Sequence, residues 1–326
     1  MSADVGAGTF AATGAGAGTS QDEHGRGGEV DCRRKCGGRV SPGSRNAPAG
    51  ITAGCRWHLA DMHCHLDRMA NAEEVARDAR ARGIALFCTT VSPVDALAAQ
   101  ARFGDRAGIR VGMGLHPWWV ADAVNPANEA NREDPAGQAH DAEAVRELAS
   151  RLAAGSCFVG EVGLDLSANH LASAQAQLAA LGAIAHACAE SPIEGRVISL
   201  HAVRAVDETL DILERHGLTE SARCIFHWFS GTSDQLTRAR DAGCLFSVGE
   251  RMLATKRGRA YAQQIPCGRL LLETDAPARL DEPYGAGELE RSLHETLEAL
   301  ALLHRMDAGE LAEIVTKTSL DLLALP

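Results

Sequence analysis

The sequence predicts an α/β fold, a (β/α)8 TIM barrel preceded by a disordered N-terminal extension. Eight short strand-like runs are each followed by longer amphipathic or polar segments. The alternation covers roughly 270 residues, a length typical of eight-stranded barrels. A doubly wound open sheet is the main alternative, but neither G-x-G-x-x-G nor G-x-x-x-x-G-K-[ST] follows the first strand-like run.

Residues 1–54 form a Gly- and Ala-rich extension with almost no large apolar side chains. Such a segment cannot bury enough apolar surface to offset the entropy cost of ordering, so we expect it to be disordered. The composition changes near Trp57, and residues 55–326 are predicted to form the barrel domain.

The predicted strands are short apolar runs. In chain order they are residues 57–62, 84–90, 109–115, 157–162, 196–201, 223–228, 244–249 and 269–275. The predicted helices are residues 71–82, 94–103, 141–154, 170–190, 204–216, 233–242, 255–264, 287–304 and 308–323. The polar residues 121–140 are predicted to form a long solvated loop after the third strand.

Composition restricts the classes of function. The net charge of −11 argues against a broad surface that coats nucleic acid. No apolar run reaches the ~18 residues of a membrane span, and no secretory signal is recognisable, so we expect a cytoplasmic protein with no membrane partner. The ten cysteines match no disulfide framework and are expected to be mostly buried thiols.

In a barrel of this kind, functional groups lie at the carboxyl ends of the strands. Six of the eight predicted strands end in an imidazole or a carboxylate. These residues are His63 and His65 on the first strand, His116 on the third, Glu161 on the fourth, His201 on the fifth, His227 on the sixth and Asp275 on the eighth. Each has an ordinary alternative, such as a core imidazole or a helix N-cap. Their convergence on one rim favours a shared metal site.

The first strand ends in the segment DMHCHLD, where His63 and His65 are separated by one residue. Side chains alternate along a strand, so both imidazoles point to the same face and can reach one ion. Nitrogen and oxygen donors without cysteine suit Zn²⁺, Mn²⁺, Mg²⁺ or Fe²⁺ rather than a soft metal.

The number of donors exceeds the three or four ligands of a single catalytic zinc, so we predict two divalent ions per subunit (Mg²⁺, Mn²⁺ or Zn²⁺). Glu161 is predicted to be shared, because a bridging carboxylate offsets the repulsion between two close cations. In some metal-dependent barrels a carbamylated lysine bridges the two ions, but this chain has no lysine between residues 57 and 255. The ligands assigned to one ion are His63, His65 and Asp275, and those assigned to the other are His201 and His227.

Six motifs occur in order along the chain: DMHCHLD (61–67), GLHPWW (114–119), VGEVGLD (159–165), ISLHAVRA (198–205), FHWFSG (226–231) and LLETDAP (271–277). In these motifs the sequence resembles the TatD family of metal-dependent deoxyribonucleases, in the amidohydrolase superfamily, from about Leu59 to the C-terminus. The resemblance implies the same metal ligands. It also implies hydrolysis of DNA phosphodiester bonds, often from the 3′ end of a single strand.

Roles for individual residues follow from this chemistry. Glu161 and Asp275 are predicted to be catalytic, with Asp275 orienting or deprotonating the attacking water. His116 and Arg204 are predicted to contact the substrate phosphate. Glu273 and Asp67 are expected to orient ligating imidazoles. Three tryptophans are expected either to stack on bases or to pack against the barrel: Trp118, Trp119 and Trp228.

The sequence departs from the family pattern at two positions near the site. Leu166 follows GLD where the family usually has an aromatic residue, and Arg204 lies one place later than the arginine of the usual H-S-R. Two other functions stay open. One is hydrolysis of a small ester, lactone, amide or phosphoester on the same scaffold, and the other is a weakly active component of a multi-protein system. The sequence does not indicate an oligomeric state.

Overall fold

The structure is a computed structural model that describes residues 57–124, 142–279 and 282–326. Its eight parallel strands follow one another around a single sheet, which confirms the predicted (β/α)8 barrel. The strands are β1 (Leu59–Cys64), β2 (Ile84–Thr89), β3 (Ile109–Leu115), β4 (Phe158–Asp165), β5 (Val197–Val203), β6 (Arg223–His227), β7 (Leu245–Val248) and β8 (Leu270–Leu272). The extension predicted at residues 1–54 lies outside the described residues.

Helices follow the strands and cover the outside of the barrel. They are α1 (Ala72–Ala81), α2 (Pro93–Phe103), α3 (Pro117–Val124), α4 (Ala142–Ala154), α5 (Ala174–Glu190), α6 (Val206–Arg215), α7 (Leu218–Ser221), α8 (Ser233–Asp241), α9 (Glu250–Leu253), α10 (Lys256–Ala262), α11 (Ala286–His304) and α12 (Ala308–Leu322). Within the described part of the chain, no helix combines the length and apolar character needed to cross a bilayer.

The barrel closes between β8 and β1 through backbone hydrogen bonds near the carboxyl ends of these strands. The amide of Asp275 donates to the carbonyl of His63 at 2.9 Å, and the amide of His65 donates to the carbonyl of Ala276 at 2.7 Å. The buried carboxylate of Asp61 accepts from the backbone and the hydroxyl of Thr274, at 3.1 and 2.6 Å. Three predicted metal ligands therefore also form this seam.

The apolar core has two layers, as alternation along the strands requires. Ala60, Met62 and Phe87 belong to the smaller apolar cluster, which fills the barrel interior. Leu59 and Leu86, their neighbours in sequence, belong to the larger cluster between the strands and the helices.

A buried arginine joins two of the covering helices to the barrel. Arg196 precedes β5 and is 2% exposed. Its guanidinium donates to four carbonyl oxygens at 2.5 to 3.3 Å, those of Ala153, Ala154, Ser156 and Cys188. These carbonyls lie at or near the C-terminal ends of α4 and α5, where a cation satisfies acceptors that have no partner within the helix.

Strands β4 and β5 extend beyond the predicted boundaries, to Asp165 and Val203, and these two residues pair with each other. Their close approach depends on Gly163, which has a φ of 147°. A Cβ at this position would lie 2.0 Å from the carbonyl oxygen of His201. The absence of a side chain in VGEVGLD thus allows the fourth and fifth strands to bring their functional residues together.

The predicted loop at residues 121–140 is partly wrong, because its first residues belong to a helix. Helix α3 begins at Pro117, immediately after His116, and ends at Val124. Proline is favoured at the first position of a helix, where its missing N–H costs nothing. Residues 125–140 of the predicted loop lie outside the described residues.

Candidate metal centre

A cavity of about 550 Å³ opens at the carboxyl ends of the strands. Six of the predicted site residues line it: His65, His116, Glu161, His201, His227 and Asp275. His63 is fully buried and contacts several of them. The cavity wall also contains the partly exposed tryptophans 118, 119 and 228.

Glu161 lies at the centre of the site, and its two carboxylate oxygens face different histidines. Oε2 lies 3.4 Å from Nε2 of His63 and 3.5 Å from Nε2 of His65. Oε1 lies 2.8 Å from Nδ1 of His201 and 2.8 Å from Nε2 of His227. The carboxylate therefore faces two clusters of donors that share Glu161, and His227 of the second cluster also lies close to His63 and Asp275.

The first cluster comprises His63, His65, Glu161 and Asp275. Oδ1 of Asp275 lies 3.4 Å from Nε2 of His65 and 3.9 Å from Nε2 of His63. Two ligands that each bind one ion at about 2.1 Å lie roughly 3.0 to 3.4 Å apart in octahedral or tetrahedral geometry. The donor separations in this cluster thus fit a common ion after small adjustments.

The chemistry of His63 is an independent test of this fit. Its Nε2 is buried and has no hydrogen-bond partner among the described residues. A buried polar atom without a partner is costly, and a metal ion bound between Nε2 and the two carboxylates would satisfy it.

The second cluster comprises Glu161, His201 and His227. Nδ1 of His201 and Nε2 of His227 lie 3.4 Å apart, and both face Oε1 of Glu161. Nε2 of His116 also lies 3.4 Å from Oε1, so a third imidazole borders this cluster.

The outer nitrogens of the first-cluster histidines show which ring atoms can bind a metal. Nδ1 of His65 lies 2.8 Å from the carbonyl oxygen of Thr89. A carbonyl only accepts, so Nδ1 carries a proton and Nε2 is the ring nitrogen that faces the cluster. Nδ1 of His63 lies 2.8 Å from the hydroxyl of Ser199, which can accept in the same way. Histidines that bind metals usually donate their other N–H to such a partner.

In the second cluster, carboxylates take the place of these outer acceptors. Asp165 Oδ2 faces Nε2 of His201 at 3.6 Å, and Glu273 Oε2 faces Nδ1 of His227 at 3.9 Å. These separations are too long for hydrogen bonds. Burial opposes the charge of Asp165, but the hydrogen bonds that it accepts hold its pKa below the usual range, and this negative charge favours a proton on Nε2 of His201. Burial instead raises the pKa of Glu273 well above its usual range. Asp165 is fixed by a hydrogen bond at 2.7 Å from the indole N–H of Trp118.

In His116 the outer ring nitrogen accepts a hydrogen bond instead of donating one. The backbone N–H of Trp118 donates to its Nδ1 at 3.2 Å. Because Nδ1 accepts, the neutral ring carries its proton on Nε2, the atom that faces Glu161. Burial lowers the pKa of His116 although Glu161 opposes this change, so the ring is neutral. A protonated Nε2 donates a hydrogen bond and does not bind a metal, which supports the predicted contact with substrate.

The two carboxylates of the first cluster are anionic. Burial opposes the charge of Glu161, but nearby imidazoles outweigh it and hold the pKa of this carboxyl well below its usual range. Burial also opposes the charge of Asp275, yet its hydrogen bond with His65 and the other imidazoles lower its pKa to about 2.

The imidazoles of the first cluster respond differently to this environment. Burial lowers the pKa of His63 to about 4, so its ring is neutral, as a metal ligand must be. Burial alone would lower the pKa of His65, but Asp275 and Glu161 outweigh it and raise that pKa to about 9. The carboxylates thus attract a positive charge to this position, which either a proton or a metal ion can supply.

Two predicted residues do not belong to the clusters. Arg204 is exposed at the end of β5 and does not line the cavity. Asp67 is linked to Arg68 and to the thiol of Cys88, rather than hydrogen-bonded to a predicted ligand.

Sequence reasoning also missed two residues near the clusters. Asp165 is the last residue of VGEVGLD, and the longer β4 places it beside His201. Arg251 follows β7, lines the cavity and donates to Oδ2 of Asp275 at 2.9 Å. The position of Arg251 just after the seventh strand was the available signal.

Comparisons with known proteins identify the family of this chain. The family model of the TatD related DNases matches residues 60–324. An uncharacterized metal-dependent hydrolase, YcfH of Escherichia coli strain K12, is 25% identical over 271 residues, which cover 79% of this chain and 92% of that protein. A 3′-5′ ssDNA/RNA exonuclease, TatD of Yersinia pseudotuberculosis, is 30% identical over 162 residues, covering 49% of this chain and 58% of that one.

Solved structures show the same fold. The TatD homologue YJJV of Escherichia coli superposes with a TM-score of 0.61 at 21% identity, covering 82% of this chain and 99% of that one. A TatD family hydrolase from Entamoeba histolytica has a TM-score of 0.63 at 14% identity, covering 82% and 98%. With the family match extending over nearly all of the described barrel, the chain belongs to the TatD related DNase family of metal-dependent hydrolases.

Proposed function

We propose that this protein hydrolyses phosphodiester bonds of single-stranded DNA from the 3′ end, using two divalent ions. The observation that carries the proposal is the position of Glu161, whose two oxygens face separate clusters of nitrogen and oxygen donors. The name of the Yersinia relative, a 3′-5′ ssDNA/RNA exonuclease, supports the choice of substrate and polarity.

The residues that would hold the ions are those of the two clusters. His63, His65 and Asp275 would bind one ion and His201 and His227 the other, with Glu161 between them. When bound, Mg²⁺, Mn²⁺ or Zn²⁺ supplies Lewis acidity that activates water and offsets the charge of a phosphate.

Asp275 and Glu161 are the proposed catalytic residues. Oδ1 of Asp275 belongs to the first cluster, whereas Oδ2 accepts from Arg251 at 2.9 Å. Burial opposes the charge of Asp275, but its hydrogen bond with His65 and the neighbouring imidazoles lower its pKa to about 2. An anionic carboxylate orients the attacking water by hydrogen bonding more readily than it removes a proton. Glu161 acts by keeping the two clusters at a fixed separation.

His116 is the proposed donor to the substrate. Its Nε2–H faces the second cluster, so it can donate to a non-bridging phosphate oxygen held there. This role needs no change of protonation, because the neutral ring already carries the proton on the correct nitrogen.

In this proposal the tryptophans divide between the two predicted roles. Trp118 is fixed by Asp165 and stacked on His170 with ring centroids 5.0 Å apart, so it supports the site. Trp119 and Trp228 are 39% and 37% exposed and each contacts an arginine, which leaves indole surface for a base.

A small ester or phosphoester is the second candidate substrate. The cavity volume of about 550 Å³ is typical of sites for small molecules.

A cytoplasmic location is part of the proposal, and the seven free cysteines of the described residues support a reducing compartment.

The test is digestion of a 3′- or 5′-end-labelled oligonucleotide by the purified protein. Activity should require Mg²⁺ or Mn²⁺, stop with chelator and be lost in Asp275→Asn and His63→Ala. Fragments that shorten one nucleotide at a time from the 3′ end establish the polarity. Turnover of p-nitrophenyl esters by a protein that leaves the oligonucleotide intact would favour the second candidate instead.

A further inference from the structure

Arg251 places a permanently charged guanidinium in the wall of the cavity. Among the described residues that line the cavity, it is the one arginine or lysine, in a chain whose net charge is −11. It lies in α9, directly after β7, and its side chain is 40% exposed. A phosphate that enters the cavity therefore has one guanidinium available in its wall.

Trp228 holds this guanidinium in position. The centre of the guanidinium lies 5.6 Å from the centroid of the indole ring. Trp228 has a φ of 39°, a region that aromatic residues rarely adopt. Two hydrogen bonds stabilise this unfavourable backbone conformation: the N–H of Trp228 donates to Oε1 of Glu273 at 3.1 Å and to the carbonyl of Ser247 at 3.2 Å. A stacked guanidinium loses less conformational freedom when it binds an anion.

The hydrogen bonding of Arg251 leaves donors for a ligand. Nη1 donates to Oδ2 of Asp275 at 2.9 Å, which is the single hydrogen bond of this side chain within the described residues. A guanidinium has five N–H donors and can bind a phosphate through two of them at once. Since Oδ1 of Asp275 belongs to the first cluster, Arg251 is one carboxylate away from the proposed ions.

We propose that Arg251 binds the substrate phosphate beside the two clusters. It takes the role that the sequence predicted for Arg204, which is exposed and does not line the cavity. This inference rests on the proposed function, because it assigns the phosphate contact of the same site.

The test compares steady-state kinetics of Arg251→Met with those of the wild type on end-labelled oligothymidylate in Mn²⁺, at several salt concentrations. We expect KM to rise about tenfold with kcat within about twofold, because the guanidinium holds the substrate and does not take part in bond cleavage. The slope of log(1/KM) against log[salt] should become shallower by about 0.7, the contribution of one phosphate contact on a single strand.

Arg251→Lys should retain the salt slope and part of the affinity, since an ammonium keeps the charge but not the paired N–H donors. Arg223→Met is the matched control, because Arg223 is exposed at the opposite end of β6 and should change neither KM nor the slope. Metal content and the melting temperature are measured on every variant.

The outcomes separate the two proposals. Wild-type protein that leaves the oligonucleotide uncut overturns the proposed function and, with it, this inference. Wild-type cleavage with an unchanged KM and salt slope in Arg251→Met overturns the inference alone. A fall in kcat and in metal content at constant KM also overturns it, because that result assigns Arg251 to the orientation of Asp275.

Discussion

Replacing Glu161 with glutamine should lower the affinity of the protein for both divalent ions. Oε2 faces His63 and His65 at 3.4 and 3.5 Å, while Oε1 lies 2.8 Å from His201 and His227. Glutamine keeps the shape of the side chain but removes its charge and replaces one ligand oxygen with an NH₂ group, which cannot bind a cation. One substitution therefore affects both clusters.

The expected size of the effect follows from the remaining charges. The first cluster would retain Asp275 as its carboxylate, whereas the second would retain only the imidazoles of His201 and His227. A pair of unit charges 4 Å apart contributes about 4 kcal/mol at an effective dielectric constant of about 20, and a divalent ion doubles that contribution. If water that replaces the carboxylate recovers half of this attraction, the binding free energy of each ion weakens by about 4 kcal/mol, which is about 1000-fold in affinity.

Equilibrium dialysis against Mn²⁺ followed by elemental analysis measures this loss. At a free Mn²⁺ concentration that saturates the wild type, we expect two ions per chain in the wild type and none in Glu161→Gln. His63→Ala and His227→Ala are matched controls, because each removes a ligand from one cluster and should cost one ion. Circular dichroism establishes that every variant is folded. Retention of one ion at wild-type affinity in Glu161→Gln would refute the shared role of this carboxylate.

Three further predictions concern the scaffold. Arg196→Met should destabilise the protein by about 3 kcal/mol, because four buried carbonyls lose their donor; urea unfolding measures this, and a change below about 1 kcal/mol would contradict it. Gly163→Ala should destabilise by a similar ~3 kcal/mol through its clash with His201. Gly182→Ala, whose Cβ has open space in α5, should instead be neutral or stabilising by up to about 1 kcal/mol in the same assay. Burial raises the pKa of the Cys64 thiol well above its usual value, so it stays protonated and should react with Ellman's reagent only after unfolding; rapid labelling in the native protein, located by peptide mass, would disprove this.

Much of the barrel could be predicted because each strand carries a local pattern. Parallel strands buried on both faces are continuous apolar runs, and the predicted third strand matches β3 at both ends. The donor residues could be predicted for the same reason, since a histidine or carboxylate at the end of an apolar run is conspicuous. His63 and Glu161 meet in space because the barrel topology, once assumed, places all strand ends at one mouth.

The features that the sequence did not predict depend on contacts between residues that are far apart in the chain. The predicted eighth strand continues to Asp275, yet β8 ends at Leu272, because Thr274 bonds to Asp61 and Asp275 has a left-handed φ of 52°. No local pattern in the sequence reports such a bond. Arg251 was missed because an arginine after a strand resembles any surface arginine until the cavity wall is known.

The seam between β8 and β1 links ion binding to the integrity of the whole barrel. His63, His65 and Asp275 form its backbone hydrogen bonds, and their side chains form most of the first cluster. An ion held there would connect the first and last strands through their side chains. The unfolded chain cannot bring this set of donors together, so the ion binds only the folded protein. Each tenfold excess of ion over its dissociation constant should therefore add about 1.4 kcal/mol to the free energy of unfolding. Thermal resistance of this enzyme would then be set partly by the divalent cations around it.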